Sequence, residues 1–142
     1  MADIRTINKD YEKIAKDLIN TEDALEYIRD SNVRIVYLSS EQKKTNERKL
    51  VLGQCEKVAD KYKWGIPCDF TITVFEPNIE TLSDEQIRIL LFHELLHVGI
   101  VDNGNGEETY QINPHDLEDF KLIIDRFGTE WNIPSEETEF EI

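Results

Sequence analysis

Residues 83–99 read SDEQIRILLFHELLHVG, and this stretch decides the fold because it predicts a well-marked helix around a specific motif. Ser83 and Gln86 have the spacing of a capping box, so a helix is expected to begin there. Asp84 and the glutamate after it suit the positive end of the helix dipole. Gly99 is placed to end the helix.

Within this helix, residues 93–97 form an HExxH motif. His93 and His97 lie one turn apart on one face, so both imidazoles can reach the same metal ion. Glu94 would lie beside the open position of the metal, where it can take a proton from a water molecule. A chain of this size shows the motif by chance below roughly one per cent of the time. The pattern predicts hydrolysis of a peptide or related amide, and its alternative is two surface histidines with an incidental glutamate.

The motif needs a third ligand, because catalytic zinc takes three protein ligands and keeps one position open. A metzincin would have histidine at position 103, which is Asn103, so that class is excluded. His115 is preferred because it is the third histidine of the chain and neutral imidazole matches zinc. One Zn²⁺ per chain is therefore expected. Ligand type and availability favour zinc over manganese, iron or cobalt. The alternatives left open are Glu118, in a gluzincin-like arrangement, and Asp102, Asp116 or Asp119.

Three further residues are candidates for supporting roles around the metal. A ligand histidine usually donates its second N–H to a carboxylate or carbonyl, and Asp116 and Asp119 are near His115 in sequence. Each could equally be a solvated helix carboxylate. Tyr110 is the candidate hydroxyl donor for the oxyanion, and its alternative is an aromatic that packs in the core.

Length and charge limit the functional classes. The 142 residues fit one domain, and the net charge of −14 makes direct nucleic-acid binding through a basic face unexpected. This charge suits attraction to a basic substrate, mimicry of nucleic acid, or simply a solvated surface. No apolar run approaches a membrane span, and residues 1–5 lack the apolar stretch of a signal peptide, so a cytoplasmic protein is expected. Cys55 and Cys68 form no CxxC element and are expected to be reduced, buried thiols.

The apolar periodicity predicts one α+β domain over residues 1–128, followed by an acidic C-terminal tail, 129–142, that is typical of a mobile end. A small, mostly antiparallel sheet is expected to pack on the motif helix, with a helix that begins at Asn113-Pro114 closing the site. The strands are predicted at 33–38, 50–58 and 69–75. The other helices are predicted at 10–19 and at 114–127, with a short helix between them that begins after a cap at Thr21. Loops or turns are predicted at 39–48 and 103–106.

Four runs of sequence resemble the phage metallopeptidase family, which consists of small HExxH proteins encoded by phages and prophages. They are residues 69–74, 82–86, 93–97 and 113–120. The resemblance covers about residues 30–128 and is more specific than HExxH alone. It implies a zincin-like domain in which His93, His97 and His115 bind zinc and Glu94 is the base. It also implies a peptide or protein substrate in the cytoplasm of a bacterial host, without identifying that substrate.

Three functional hypotheses follow from the sequence. The first is a zinc-dependent peptidase of phage or prophage type. The second is a metal-containing acidic protein that binds or regulates a partner and cleaves nothing, and the third is a zinc hydrolase of non-peptide amides. The intact Glu94 favours an enzyme, whereas the large acidic charge mildly favours a binding protein.

Overall fold

The computed structural model describes residues 4–104, 106–115, 123, 126–127 and 140–141. In these residues the α-helices are α1 (Lys9–Thr21), α2 (Glu26–Arg29) and α3 (Asp84–Leu96). The strands are β1 (Arg5–Ile7), β2 (Ile35–Ser40), β3 (Thr45–Asn46), β4 (Lys49–Val51), β5 (Gly53–Lys57), β6 (Phe70–Phe75), β7 (Val98–Asp102), β8 (Glu108–Ile112) and β9 (Phe140–Glu141). Short 3-10 helices lie at Asp23–Leu25, Asp60–Tyr62 and Glu76–Asn78.

The largest sheet contains four strands in the order β1-β2-β6-β5. Its outer pairings, β1 with β2 and β5 with β6, are antiparallel, whereas the central pairing of β2 with β6 is parallel. The predicted α+β class and the mostly antiparallel sheet are therefore confirmed, with a parallel pair at the centre. β5 is an edge strand of this sheet, and α3 packs against it. This contact places the HExxH helix beside a strand edge.

The predicted strand at 50–58 is divided into two strands that belong to different sheets. β4 ends at Val51 and β5 begins at Gly53, while the fully buried Leu52 between them accepts a hydrogen bond from the Phe75 backbone N–H at 3.0 Å. β3 lies inside the predicted 39–48 loop and pairs with β4 in antiparallel orientation, and β9 pairs with β4 in parallel. Residues 140–141 of the predicted C-terminal tail therefore form a strand that pairs with β4.

The N-terminal helices follow the prediction except at the cap of the second helix. Asn8, just before α1, accepts hydrogen bonds from two backbone N–H groups of the first turn at 2.9 and 3.0 Å. Thr21 does not cap the second helix as predicted, because it is the last residue of α1 and its hydroxyl donates to the Asp17 carbonyl at 2.8 Å. Leu25 and Ile28 are buried and attach this short helical segment to the core.

The motif helix begins as predicted and ends earlier than predicted. The Ser83 hydroxyl accepts from the Gln86 N–H at 3.2 Å, and the Gln86 side chain accepts from the Ser83 N–H at 2.8 Å, so the capping box is confirmed. The helix ends at Leu96, with His97 as its C-cap. Gly99 does not terminate it but lies in β7, where it pairs with Gln111. The chain thus turns directly from the HExxH motif into a strand.

β7 and β8 form a hairpin that the sequence did not predict beyond its turn. Gly104 and Gly106 have φ angles of 82° and 84°, a conformation that glycine adopts without strain. The predicted helix does not begin at Pro114, because Pro114 and His115 have no regular structure. Farther along the predicted helix, Ile123, Arg126 and Phe127 are helical, and the rest of 116–128 lies outside the described residues.

One hydrophobic core joins the helices to the sheet. α3 contacts α1 on one side and β5 on the other. The fully buried side chains of this core include Leu18, Leu52, Phe70, Ile72, Leu90, Leu91 and Leu95. Among the described residues, no helix is both long and apolar enough to cross a membrane.

Asp69 is a buried carboxylate that joins the start of β6 to two neighbouring segments. It accepts hydrogen bonds from the Arg34 backbone N–H at 2.9 Å and is 3.1 Å from the Lys63 ammonium. Burial opposes its charge, but the contacts with Arg34 and Lys63 outweigh burial, so the pKa of Asp69 is lowered. A carboxyl group with a lowered pKa stabilises the fold above its unfolded pKa and loses this contribution as the pH falls through its folded pKa.

Replacing Asp69 by Asn should therefore destabilise the protein in a pH-dependent way. At neutral pH we expect the free energy of unfolding to fall by about 1–3 kcal/mol, because the charged contact with Lys63 is lost. The difference from wild type should shrink as the pH falls below about 4, the ordinary pKa of an aspartate, because the unfolded chain then binds a proton before the folded carboxyl does. Urea unfolding of both proteins between pH 3 and 7 measures this difference in the free energy of unfolding. The control is Asp60→Asn. Asp60 also pairs with Lys63, but its side chain is 86% exposed, so its loss should cost little. A pH-independent difference would contradict this account.

Gly99 should be intolerant of any side chain. A Cβ atom there would lie 2.6 Å from Asn113 Oδ1 and 2.7 Å from the Gln111 carbonyl oxygen. We expect Gly99→Ala to lower the free energy of unfolding by about 1–3 kcal/mol, because a backbone atom must move. The control is Gly65→Ala, where a Cβ would meet nothing within 4 Å. Urea unfolding compares the two variants, and equal stabilities would show that the hairpin absorbs the methyl group without strain.

Candidate metal centre

The last turn of α3 presents the HExxH side chains to the inside of the protein. His93 is 0% exposed and Glu94 is 1% exposed, whereas His97 at the C-cap is half-buried. Polar groups buried this deeply need partners, because desolvation of an unsatisfied group is costly. The burial of the motif therefore contradicts the alternative of two surface histidines with an incidental glutamate.

The hairpin that follows α3 brings the third histidine to the same point. The Asn113 backbone N–H donates to the His97 carbonyl at 2.8 Å, which fixes the end of β8 against the end of the helix. His115 follows two residues later, and its Nε2 lies 3.0 Å from His93 Nε2. The ring centroids of His115 and His97 are 4.5 Å apart. One ligand atom from each of the three histidines lies within 4.8 Å of the others.

This cluster fits a divalent transition metal. Zinc binds imidazole nitrogen at 2.0–2.1 Å, so the nitrogens around a tetrahedral ion lie about 3.3 Å apart. The observed separation of 3.0 Å between His93 and His115 is close to that spacing. His97 Nδ1 lies 2.7 Å from the Asn113 carbonyl oxygen. A carbonyl only accepts, so Nδ1 carries the proton and the lone pair of His97 is on Nε2, the form that binds a metal.

The cluster opens into a cleft of about 500 Å³. Glu94, His97 and His115 line it, together with residues 53–55 of β5 and residues 44–46 before and within β3. Gly53 lies directly against the glutamate, since a Cβ at this position would be 3.4 Å from Glu94 Cγ. The small residue thus leaves room for Glu94 between the strand edge and the histidines.

Cys55 also lines the cleft, but as a thiol. Both cysteines are free, as predicted, although Cys55 is half-buried and only Cys68 is fully buried. Burial raises the pKa of the Cys55 thiol, and the negative charges of Glu94 and Glu56 raise it further. A thiol with a raised pKa is a poor metal ligand, because metals bind the thiolate. The three histidines are therefore the better ligand set.

The structure places the other candidate residues as follows. Tyr110 packs edge-on against Phe70 with centroids 5.8 Å apart, and its hydroxyl is 3.2 Å from Glu108 Oε1. Burial and the neighbouring carboxylates raise the pKa of Tyr110 to about 12, so it keeps its proton. Asp102 accepts from the Gly104 N–H at 2.8 Å within the hairpin turn. Glu118, Asp116 and Asp119 lie outside the described residues.

Sequence reasoning missed the residue that orients the site. Asn113 was expected to cap a helix, but its carbonyl holds the imidazole of His97, and its side-chain amide donates to the Leu96 and Val98 carbonyls at 3.3 and 3.2 Å. Asn113 stands two residues before His115 in the sequence, but this position does not by itself predict a role for its backbone carbonyl. Lys44 and Gln54, which also line the cleft, had no signal, because only the fold of β3 to β5 brings them there.

Comparison with known proteins agrees with this site. No curated protein and no solved structure matches the chain significantly. One family model, described as Putative phage metallopeptidase, matches residues 5–138, which is nearly the whole chain and more than the 30–128 of the resemblance. The resemblance to this family is thereby confirmed, and the chain belongs to the phage metallopeptidase family.

Proposed function

We propose that the protein is a zinc-dependent peptidase in which His93, His97 and His115 hold the metal and Glu94 is the general base. The observation that carries this proposal is the convergence of three imidazoles within 4.8 Å beside a buried glutamate. Family membership supports hydrolysis of a peptide or protein substrate. Neutral imidazole ligands favour zinc over harder cations, and one metal per chain follows from one cluster.

The chemistry divides between the metal and Glu94. A bound zinc ion would polarise the substrate carbonyl and lower the pKa of a coordinated water. Glu94 accepts the proton as the water oxygen bonds to the carbonyl carbon, and donates it to the nitrogen of the leaving amine as the C–N bond breaks. The burial of this carboxylate at the floor of the cleft limits its exchange with bulk solvent. Tyr110 as an oxyanion donor, and Asp116 and Asp119 as partners of His115, stay predictions.

The other two hypotheses give different expectations. A binding protein that only retains a metal has no use for a carboxylate 1% exposed beside the histidines, so this buried Glu94 favours an enzyme. A hydrolase of non-peptide amides would use the same residues on a different substrate. Family membership favours the peptidase over it.

Glu94→Gln should separate catalysis from metal binding. We expect the variant to retain about one zinc per chain and to lose about 10²- to 10⁴-fold in kcat, because the amide cannot accept the proton. Metal analysis and cleavage of a proteome-derived peptide library measure the two effects. The control is Glu85→Gln, an exposed glutamate in the first turn of the same helix. Wild-type protein that is loaded with zinc and cleaves nothing in the library would overturn the peptidase proposal.

His115→Ala should remove the third ligand. We expect zinc affinity to fall by at least about 100-fold. Removing a group that only orients a metal ligand already lowers metal affinity by about 10- to 100-fold. Chelation by EDTA should lower the Tm of wild type and leave that of the variant unchanged, since a metal that binds only the folded state stabilises it. Equal Tm values of the two proteins in EDTA would show that the substitution spares the fold. A variant that still binds zinc stoichiometrically and tightly would exclude His115 from the site.

A further inference from the structure

We propose that Lys44 binds a carboxylate group of the substrate and so makes the cleft selective for peptides that carry a carboxylate near the cleaved bond. This inference rests on the proposed peptidase function. Lys44 lines the same cleft of about 500 Å³ as Glu94, His97 and His115. A cleft of this volume holds a ligand of small-molecule size, so one substrate segment can contact both the histidine cluster and Lys44.

The backbone of Lys44 is held firmly. Its carbonyl oxygen accepts from the Val51 backbone N–H at 3.0 Å and from the side-chain amide of Asn78 at 2.9 Å. Asn78 is 2% exposed and also donates to the Val51 carbonyl at 2.7 Å. The segment before β3 is therefore anchored to the core, and the lysine side chain starts from a fixed point at the edge of the cleft.

The ammonium group of Lys44 has neutral neighbours. Its Nζ donates to Gln54 Oε1 at 2.7 Å and lies 5.3 Å from the centre of the Phe75 ring. Over the described residues, no carboxylate oxygen lies within the 4.0 Å of an ion pair to this Nζ. Some other basic residues of this acidic chain have such partners, for example Arg88 with Asp17 at 2.6 Å. Among the described residues, no carboxylate therefore pairs with the Lys44 ammonium, and two further N–H donors remain for a ligand.

Gln54 extends this donor set. Because its Oε1 accepts from Lys44, its Nε2 amide supplies N–H donors on the side chain that also lines the cleft. A carboxylate is an acceptor-only group, and it forms its stronger hydrogen bonds with charged donors. Among the described residues that line the cleft, Lys44 carries the one ammonium group and Glu94 the one carboxylate group. The cleft therefore pairs a hydrolytic end with a carboxylate-binding end.

Either a C-terminal carboxylate or an Asp or Glu side chain supplies this group. Three matched random peptide libraries distinguish the two sources. The first has free C-termini and contains no Asp or Glu, the second has C-terminal amides and contains both, and the third has C-terminal amides and neither. Retention on zinc-loaded Glu94→Gln protein, measured by mass spectrometry, reports binding without cleavage.

We expect retention of one carboxylate library to exceed that of the neutral library by about tenfold or more, as a charge-assisted hydrogen bond allows. Adding Lys44→Met should abolish this preference and leave retention of the neutral library unchanged, whereas Lys44→Arg should preserve it. The matched control is Lys43→Met, which removes the same charge from the adjacent exposed lysine.

Equal retention of the three libraries at any level, or a preference that survives Lys44→Met, would overturn the assignment of Lys44. Cleavage of the retained peptides by wild-type protein is scored separately. Selective retention without cleavage would remove the peptidase proposal and leave the carboxylate site standing.

Discussion

The candidate metal centre depends on two hydrogen bonds between His97 and Asn113. The Asn113 N–H donates to the His97 carbonyl at 2.8 Å, and the His97 Nδ1–H donates to the Asn113 carbonyl at 2.7 Å. The first bond fixes the end of β8 against the end of α3, and the second fixes the imidazole ring. His115 is two residues farther on, and two residues span at most about 7 Å of extended chain. Its ring therefore reaches His93 only while this connection holds.

The same connection uses the chemistry of a helix C-terminus. The last carbonyls of α3 have no partners within the helix, and the Asn113 side chain satisfies that of Leu96 and the neighbouring one of Val98. The aligned peptide dipoles give this end of α3 a partial negative charge. Because His93 and His97 lie in that last turn, a divalent cation held there is favoured by the helix as well as by its ligands. Because Gly99 has no side chain, the Asn113 side chain can approach the end of α3 closely enough to donate to these carbonyls.

Local sequence signals predicted the parts of the fold that are set by short-range interactions. The capping box at Ser83, the helix after it and the β-branched strand β6 depend on neighbours in sequence, and they were predicted correctly. The β7–β8 hairpin was missed because Val98 continues the apolar pattern of α3, while β8 is mostly polar and exposed. Three histidines in the chain sufficed to propose the ligand set. The role of Asn113 could not be predicted, because it acts through a backbone carbonyl whose direction only the hairpin determines.

The acidic surface and the basic group in the cleft act over different distances. The net charge of −14 repels an anionic peptide at long range, but at physiological ionic strength this repulsion is screened beyond about 8 Å. The Lys44 ammonium acts at hydrogen-bond distance, inside a cleft where solvent is partly excluded and charges interact more strongly. Added salt therefore weakens the long-range repulsion of a carboxylate peptide more than it weakens the hydrogen-bonded contact of that peptide with Lys44. The acidic surface slows such a ligand without preventing Lys44 from selecting it once it has entered the cleft.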